Sequence, residues 1–67
     1  MTRFEAAQAL KTGNVKLTHM YFTPEEWVKG DGDGYYLLED GVRCTAAEFW
    51  KYRQHEFFND GWEIFNE

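Results

Sequence analysis

The segment Phe49-Trp50-Lys51-Tyr52-Arg53 carries the residue types in this chain that are best suited to binding chemistry. It interleaves three aromatic rings with two cations on a short predicted helix. Aromatic rings stack on flat ligands such as purines, and Lys or Arg side chains hold phosphates. Because a short helix buries only one stripe, at least one ring is expected to be partly exposed. Two interpretations stay open: core packing with solubilising charges, or a site for a nucleotide-like ligand or a protein groove.

For a nucleotide-like ligand, the sequence suggests specific contacts. Trp50 or Tyr36 is expected to stack on the base, because each offers a flat aromatic face. Arg43 or Arg53 is expected to bind phosphate, because a guanidinium group pairs with phosphate oxygens in a bidentate manner. Arg3, Lys16 and Arg43 are other possible phosphate partners, and their convergence in space would favour the nucleotide interpretation.

Acidic residues outnumber basic ones, twelve to seven, which gives a net charge of −5. Direct binding to DNA or RNA is not expected, because such affinity comes mostly from Lys and Arg neutralising phosphates. The acidic residues are concentrated in one part of the chain, between Glu25 and Asp40. This run is either a solvated loop or a negative surface for a basic partner, including a protein that normally binds DNA. Six carboxylates and one base, Lys29, lie in this run: Glu25, Glu26, Asp31, Asp33, Glu39 and Asp40.

The sequence offers no metal or phosphate motif. Asp31-Gly32-Asp33-Gly34 is similar to the start of an EF-hand loop, but the twelfth position is Val42, where calcium requires a bidentate Glu. A phosphate cradle follows a strand and opens a helix, whereas a strand is predicted after these glycines. A flexible turn is therefore the better interpretation of this segment.

Catalytic residues are not predicted either. His19 and His55 are the only side chains suited to proton transfer near neutral pH, and neither lies in a catalytic motif. Cys44 is the single cysteine, so an intrachain disulfide is impossible, and no Cys/His spacing suits zinc. We therefore expect a protein that is not an enzyme and that needs no cofactor.

Size and aromatic content point to a small binding protein. The 67 residues are predicted to form one domain, residues 1–67, with six Phe, four Tyr and three Trp. A chain this short buries only about 60% of the surface that its unfolded form exposes, so some rings should face a partner. Since the chain offers neither an intrachain disulfide nor a zinc site, which commonly stabilise domains of this size, self-association into a homo-oligomer is expected.

No apolar run approaches the roughly 18 residues that would indicate a membrane span. The first residues lack the apolar middle of a signal peptide, and a free thiol fits a reducing compartment. The cytoplasm is therefore the predicted location.

The predicted elements give an α+β fold, with an antiparallel sheet of three or four strands and two short helices packed on one face. Capping boxes of Thr and Glu mark both helix starts, and Asp40-Gly41 marks a tight hairpin turn. The segment after Thr23 is expected to form either one helical turn or a tight corner. The predicted ranges are a helix over 2–12, a strand over 15–22, a possible short strand at 27–28, an irregular and mobile loop over 29–34, a hairpin over 35–44, a helix from 45 to about 55 and a strand over 62–65.

Two segments resemble a known family. Ala9-Leu10-Lys11-Thr12-Gly13-Asn14-Val15 is similar to the opening Ala-Leu-Lys-x-Gly-(Lys)-Val of a family of very small phage proteins. The C-terminal segment of that family has an acidic residue followed by Trp-Glu-Ile, and Asn59-Asp60-Gly61-Trp62-Glu63-Ile64 resembles it. The hairpin and capped helix between them follow the same order. The family is that of the Thoeris anti-defence-two-like proteins.

The resemblance implies a function. Studied members of that family sequester cyclic nucleotide signals of bacterial immune systems, without catalysis, as homo-oligomers with sites near subunit boundaries. We therefore expect a non-catalytic phage protein in the host cytoplasm that binds and inhibits a host defence component or sequesters a nucleotide signal. The alternative is an acidic DNA mimic that inhibits a host nucleic-acid-binding protein.

Overall fold

The computed structural model describes residues 1–66, and it has the predicted α+β architecture. The elements are α1 (Arg3–Leu10), β1 (Lys16–His19), β2 (Val28–Gly30), β3 (Tyr35–Leu38), β4 (Arg43–Thr45), α2 (Ala46–Lys51), a 3-10 helix (Glu56–Asn59) and β5 (Trp62–Ile64). The sheet has five antiparallel strands in the order β4-β3-β2-β1-β5, rather than the three or four expected.

The predicted capping box starts α1. The Glu5 amide donates to Thr2 Oγ1 at 3.1 Å, and the Thr2 amide donates to Glu5 Oε1 at 2.9 Å. Two otherwise unpaired amides at the helix start are thereby satisfied. The helix buries Ala6 and Leu10 and leaves Phe4 exposed.

The expectation of an irregular segment over 29–34 is wrong for Lys29 and Gly30, which belong to β2. Thr23 and Glu26 form the tight corner before this strand: the Glu26 amide donates to the Thr23 carbonyl and the Thr23 amide to Glu26 Oε1, both at 3.1 Å. Gly30 is required for space, because an added Cβ would lie 1.7 Å from the Leu10 carbonyl oxygen. Close approach of β2 to the end of α1, and not flexibility, therefore explains this glycine.

The hairpin of β3 and β4 is confirmed. The Leu38 amide donates to the Val42 carbonyl at 2.8 Å, so three residues, 39–41, lie between this bonded pair. Gly41, with a φ of 89°, takes the left-handed conformation that this connection needs and that side chains resist. Thr45 caps the start of α2 through its predicted capping box with Glu48.

The second helix ends at Lys51, earlier than the predicted end near residue 55. Arg53 explains this difference, because its guanidinium donates to the Phe49 carbonyl at 3.1 Å. In a longer helix that carbonyl would accept the amide of residue 53, which donates instead to the Trp50 carbonyl. The chain then continues into the 3-10 helix.

The first strand also ends earlier than predicted, at His19 instead of residue 22. A turn follows, in which the Phe22 amide donates to the His19 carbonyl at 2.9 Å. In the edge strand β5, Trp62 is buried whereas Ile64 is exposed. Only Trp62 reaches the core.

One cluster of buried side chains joins both helices to the sheet. Its centre is Trp62, which is fully buried and whose ring lies among the rings of His19, Phe49, Trp50 and Phe58. The remaining buried apolar members come from α1 and the middle strands: Ala6, Leu10, Leu17, Val28 and Tyr36. Aromatic packing thus supplies most of the bulk of the core.

Candidate functional site

A cavity of about 440 Å³ lies between α1, α2 and the loop of residues 31–34. We call it the Trp50 cavity. Rings and small residues form much of its wall, and one lysine lies at its edge. The lining residues that matter here are Ala7, Lys11, Gly34, Tyr35, Tyr36 and Trp50.

Trp50 and Tyr36 form the aromatic wall of this cavity. The indole Nε1–H of Trp50 donates to Tyr36 Oη at 3.0 Å, and the two rings lie edge to face at 85°. Burial raises the pKa of the Tyr36 phenol, so this group stays protonated at neutral pH. The half-buried Trp50 ring also packs on Phe49, with ring centres 5.0 Å apart. Both predicted stacking residues are therefore held together in one fixed arrangement.

The two predicted phosphate-binding arginines lie outside the Trp50 cavity. Arg43 pairs with Leu37 in the sheet and is not a lining residue, although its guanidinium lies 4.1 Å from the ring centre of Tyr35, which lines the cavity. Arg53 lies 3.9 Å from the Phe49 ring centre and lines a different cavity. The sequence-based set of four binding residues thus splits into a pair of rings and two separate cations.

Lys11 is the cation that sequence reasoning missed. It follows the last residue of α1 and lines the Trp50 cavity. The Ala-Leu-Lys-x-Gly segment already contained this residue, but its position relative to α2 depends on tertiary packing.

The acidic run is divided between the two ends of the β2–β3 pair. Glu26, Glu39 and Asp40 line one cavity together with Arg53. Because β2 and β3 are antiparallel and Val28 pairs with Leu38, Glu39 lies near the start of β2. Asp31 follows the opposite end of that strand. A four-residue strand separates the two groups by roughly 13 Å. Glu25 lies with the first group and Asp33 with the second, so the six carboxylates do not form one continuous row.

Asp31 is held in place by Asp33, Tyr35 and Arg43. Its carboxylate accepts the Asp33 amide at 2.8 Å, the Tyr35 amide at 3.3 Å and an Arg43 nitrogen at 2.7 Å. The Asp33 amide first, and then Arg43, lower the pKa of the Asp31 carboxyl. The loop that the sequence suggested as a mobile contact is thus tied to β4.

This geometry predicts how Asp31 titrates. Because the folded-state pKa is lowered, the stability it contributes is present above about pH 4 and is lost as the pH falls through the lowered value. We expect the Asp31 carboxyl midpoint, followed by NMR, to lie below its ordinary value. Arg43→Gln should raise the midpoint only in part, since the Asp33 amide still donates.

Lys29→Gln is the matched control, because it removes one positive charge from β2, the strand that Asp31 follows, without touching an Asp31 bond. The Asp31 midpoint should move less in this variant than in Arg43→Gln. A wild-type midpoint at or above the unfolded value would contradict the hydrogen-bonded arrangement.

The side chains of His19, His55 and Cys44, which were considered for catalysis, are held by backbone hydrogen bonds or by burial. His19 is buried, its Nδ1 accepts the Tyr21 amide at 3.1 Å, and its Nε2 lies 2.7 Å from the Asp60 carbonyl oxygen. Its proton therefore resides on Nε2. His55 Nδ1 accepts the Phe57 amide at 3.1 Å. Burial raises the pKa of the Cys44 thiol, which keeps it protonated.

Within residues 1–66, no three His, Cys, Asp or Glu side chains lie close enough together to hold a metal ion. The helices of the same range are all too short or too polar to cross a membrane.

Comparisons of this chain with protein-family models, with curated proteins and with solved structures find no match. The resemblance to the phage family therefore depends on the two sequence segments, and the Trp50 cavity has to be interpreted from its own chemistry.

Proposed function

We propose that this protein binds a flat, anionic small molecule of the nucleotide class in the Trp50 cavity, without chemical change to the ligand. The observation that carries this proposal is the hydrogen-bonded pair of Trp50 and Tyr36 on the cavity wall. Because the bond and the core fix the Trp50 ring, a base stacks on a preformed surface and little side-chain entropy is lost.

Lys11 gives the cavity its preference for an anion. Lys11 is the charged residue of the described cavity lining, which also includes Ala7, Tyr36 and Trp50. An apolar pocket with a few polar groups is the usual form of a small-molecule site. A ligand with a flat base and at least one phosphate matches this combination.

The biological role follows from the resemblance to the phage family. By holding a nucleotide signal, the protein would inhibit a host defence component in the host cytoplasm. Self-association belongs to the same proposal, because the chain has no disulfide and leaves several rings exposed. The alternative, an acidic DNA mimic, has less support, because the acidic run is divided and Asp31 is already paired with Arg43.

Titration calorimetry of the full chain against a panel of cyclic nucleotides tests the proposal. We expect at least one to bind, and Ala7→Leu to weaken it by at least about tenfold, because the larger side chain fills the cavity. Ala and Leu are both good helix formers, so α1 should persist. Chromatography should recover the bound nucleotide unchanged.

Gln8→Leu is the matched control, since it places the same side chain on an exposed neighbouring position of α1. Its affinity should equal that of the wild type. No heat with any nucleotide, from protein shown to be folded, would remove the small-ligand proposal. Equal weakening by both variants would show that binding lies elsewhere.

A further inference from the structure

A second surface of this protein combines exposed apolar side chains with an acidic rim. It is an open concavity of about 760 Å³ between the turn that follows β1, the 3-10 helix and β5. Three side chains give it apolar area: Met20 is 66% exposed, Tyr21 61% and Phe57 54%. We call it the Tyr21 surface. It shares no lining residue with the Trp50 cavity, so it does not depend on the function proposed above.

The backbone beneath the Tyr21 surface is fixed by two histidines. The Tyr21 amide donates to His19 Nδ1, and His19 Nε2 is bonded to the Asp60 carbonyl. The Phe57 amide donates to His55 Nδ1, and the Tyr21 and Phe57 ring centres lie 5.2 Å apart. These bonds fix the backbone that carries two neighbouring exposed rings. Rigid aromatic side chains contribute strongly to binding because they lose little entropy on contact.

The rim of this surface is acidic. Glu56, Asp60 and Glu63 line it, whereas the described lining contains no Lys or Arg. The positive group in the lining is the N-terminal amine, which lies 3.9 Å from Asp60 Oδ1. The surface therefore places three exposed apolar or aromatic side chains beside three carboxylates, which is the complement of an apolar side chain flanked by cations.

We propose that the Tyr21 surface docks a basic amphipathic segment of a partner protein, one that presents an apolar side chain between lysines or arginines. Charge complementarity selects this occupant. A second copy of the chain is disfavoured, because a symmetric contact places like patches together and would bring the carboxylates of both rims into one interface. The Met20 thioether adds an adaptable contact for a partner side chain.

Binding of two synthetic peptides to the full chain tests this proposal. The probes are an amphipathic Leu–Lys peptide and a Leu–Glu peptide with its leucines at the same positions. We expect only the Leu–Lys peptide to bind in calorimetry, and its affinity to fall as salt rises from about 0.1 M to 1 M, where the screening length shrinks from about 10 Å to 3 Å. Failure of the Leu–Lys peptide to bind, or equal binding of both peptides, would overturn the proposal.

Substitutions on the Tyr21 surface test whether the Leu–Lys peptide binds there. The double variant Tyr21→Ser with Phe57→Ser should weaken Leu–Lys binding by at least about tenfold. Glu56→Gln with Glu63→Gln should weaken it less and flatten the salt dependence. Tyr52→Ser is the matched control, because it removes an exposed ring outside this surface and should leave affinity unchanged.

Two further outcomes would also reject the proposal. Unchanged affinity in the Tyr21/Phe57 variant, with a wild-type urea midpoint, would place the peptide elsewhere. Sedimentation equilibrium that shows a wild-type dimer, dissociated by the same double variant, would make a second copy the occupant.

Discussion

Gly30→Ala is expected to reduce the free energy of unfolding by at least about 3 kcal/mol, enough to leave much of this small protein unfolded. The new Cβ would lie 1.7 Å from the Leu10 carbonyl oxygen and 2.7 Å from the Leu10 carbonyl carbon. Both atoms belong to the backbone, so no side-chain rotation relieves the contact. The end of α1 would have to move away from β2, and Leu10 would leave the core. Urea denaturation followed by far-ultraviolet circular dichroism measures the effect.

Gly32→Ala is the control for this prediction. It introduces the same methyl group two residues along the chain, where nothing lies within 4 Å and φ is 85°. The left-handed conformation alone should cost about 1–2 kcal/mol. If Gly30→Ala and Gly32→Ala are equally destabilising, close approach of β2 to α1 is not the reason for Gly30.

The second large effect is expected for Trp62→Ala, at about 3–5 kcal/mol. The fully buried Trp62 ring touches aromatic rings from β1, α2 and the 3-10 helix, so its removal opens a cavity that no single neighbour fills. Its Nε1–H also donates to the Phe58 carbonyl at 2.8 Å. The loss of stability should appear in urea denaturation as a lower midpoint.

Two further variants separate the contributions of Trp62. Trp62→Phe keeps most of the ring packing and removes the donor, so it should cost less, about 1–3 kcal/mol, for the unpaired carbonyl and the smaller ring. Tyr52→Ala removes a ring that is 77% exposed and should change stability by less than about 0.5 kcal/mol. A Trp62→Ala effect as small as that of Tyr52→Ala would disprove the central position of Trp62.

The two proposed binding surfaces differ in what supports them. The Trp50 cavity is enclosed by α1, α2 and a loop, and it suits a small anion with a flat ring. The Tyr21 surface is open, acidic and aromatic, and it suits a basic protein segment. Because different variants disable each surface, the two proposals can fail independently.

Local patterns were sufficient for the elements whose bonds are local. The capping boxes at Thr2 and Thr45 and the turn at Gly41 were predictable, because each depends on residues within three or four positions. The end of α2 was not, because the Arg53 side chain competes for the Phe49 carbonyl. Gly30 looked like a loop glycine, because the clash that requires it involves Leu10, twenty residues away.

The amino-acid sequence by itself determined the α+β class, the helix starts, the hairpin, the negative charge and the supply of aromatic rings. Only the tertiary structure decided that Trp50 and Tyr36 meet beside Lys11, that Arg43 and Arg53 lie elsewhere, and that the acidic run is divided. The physical reason is that β1 pairs with β2 on one side and with β5 on the other. These pairings join residues far apart in the chain, and packing of the whole core, not local preference, fixes which side chains become neighbours.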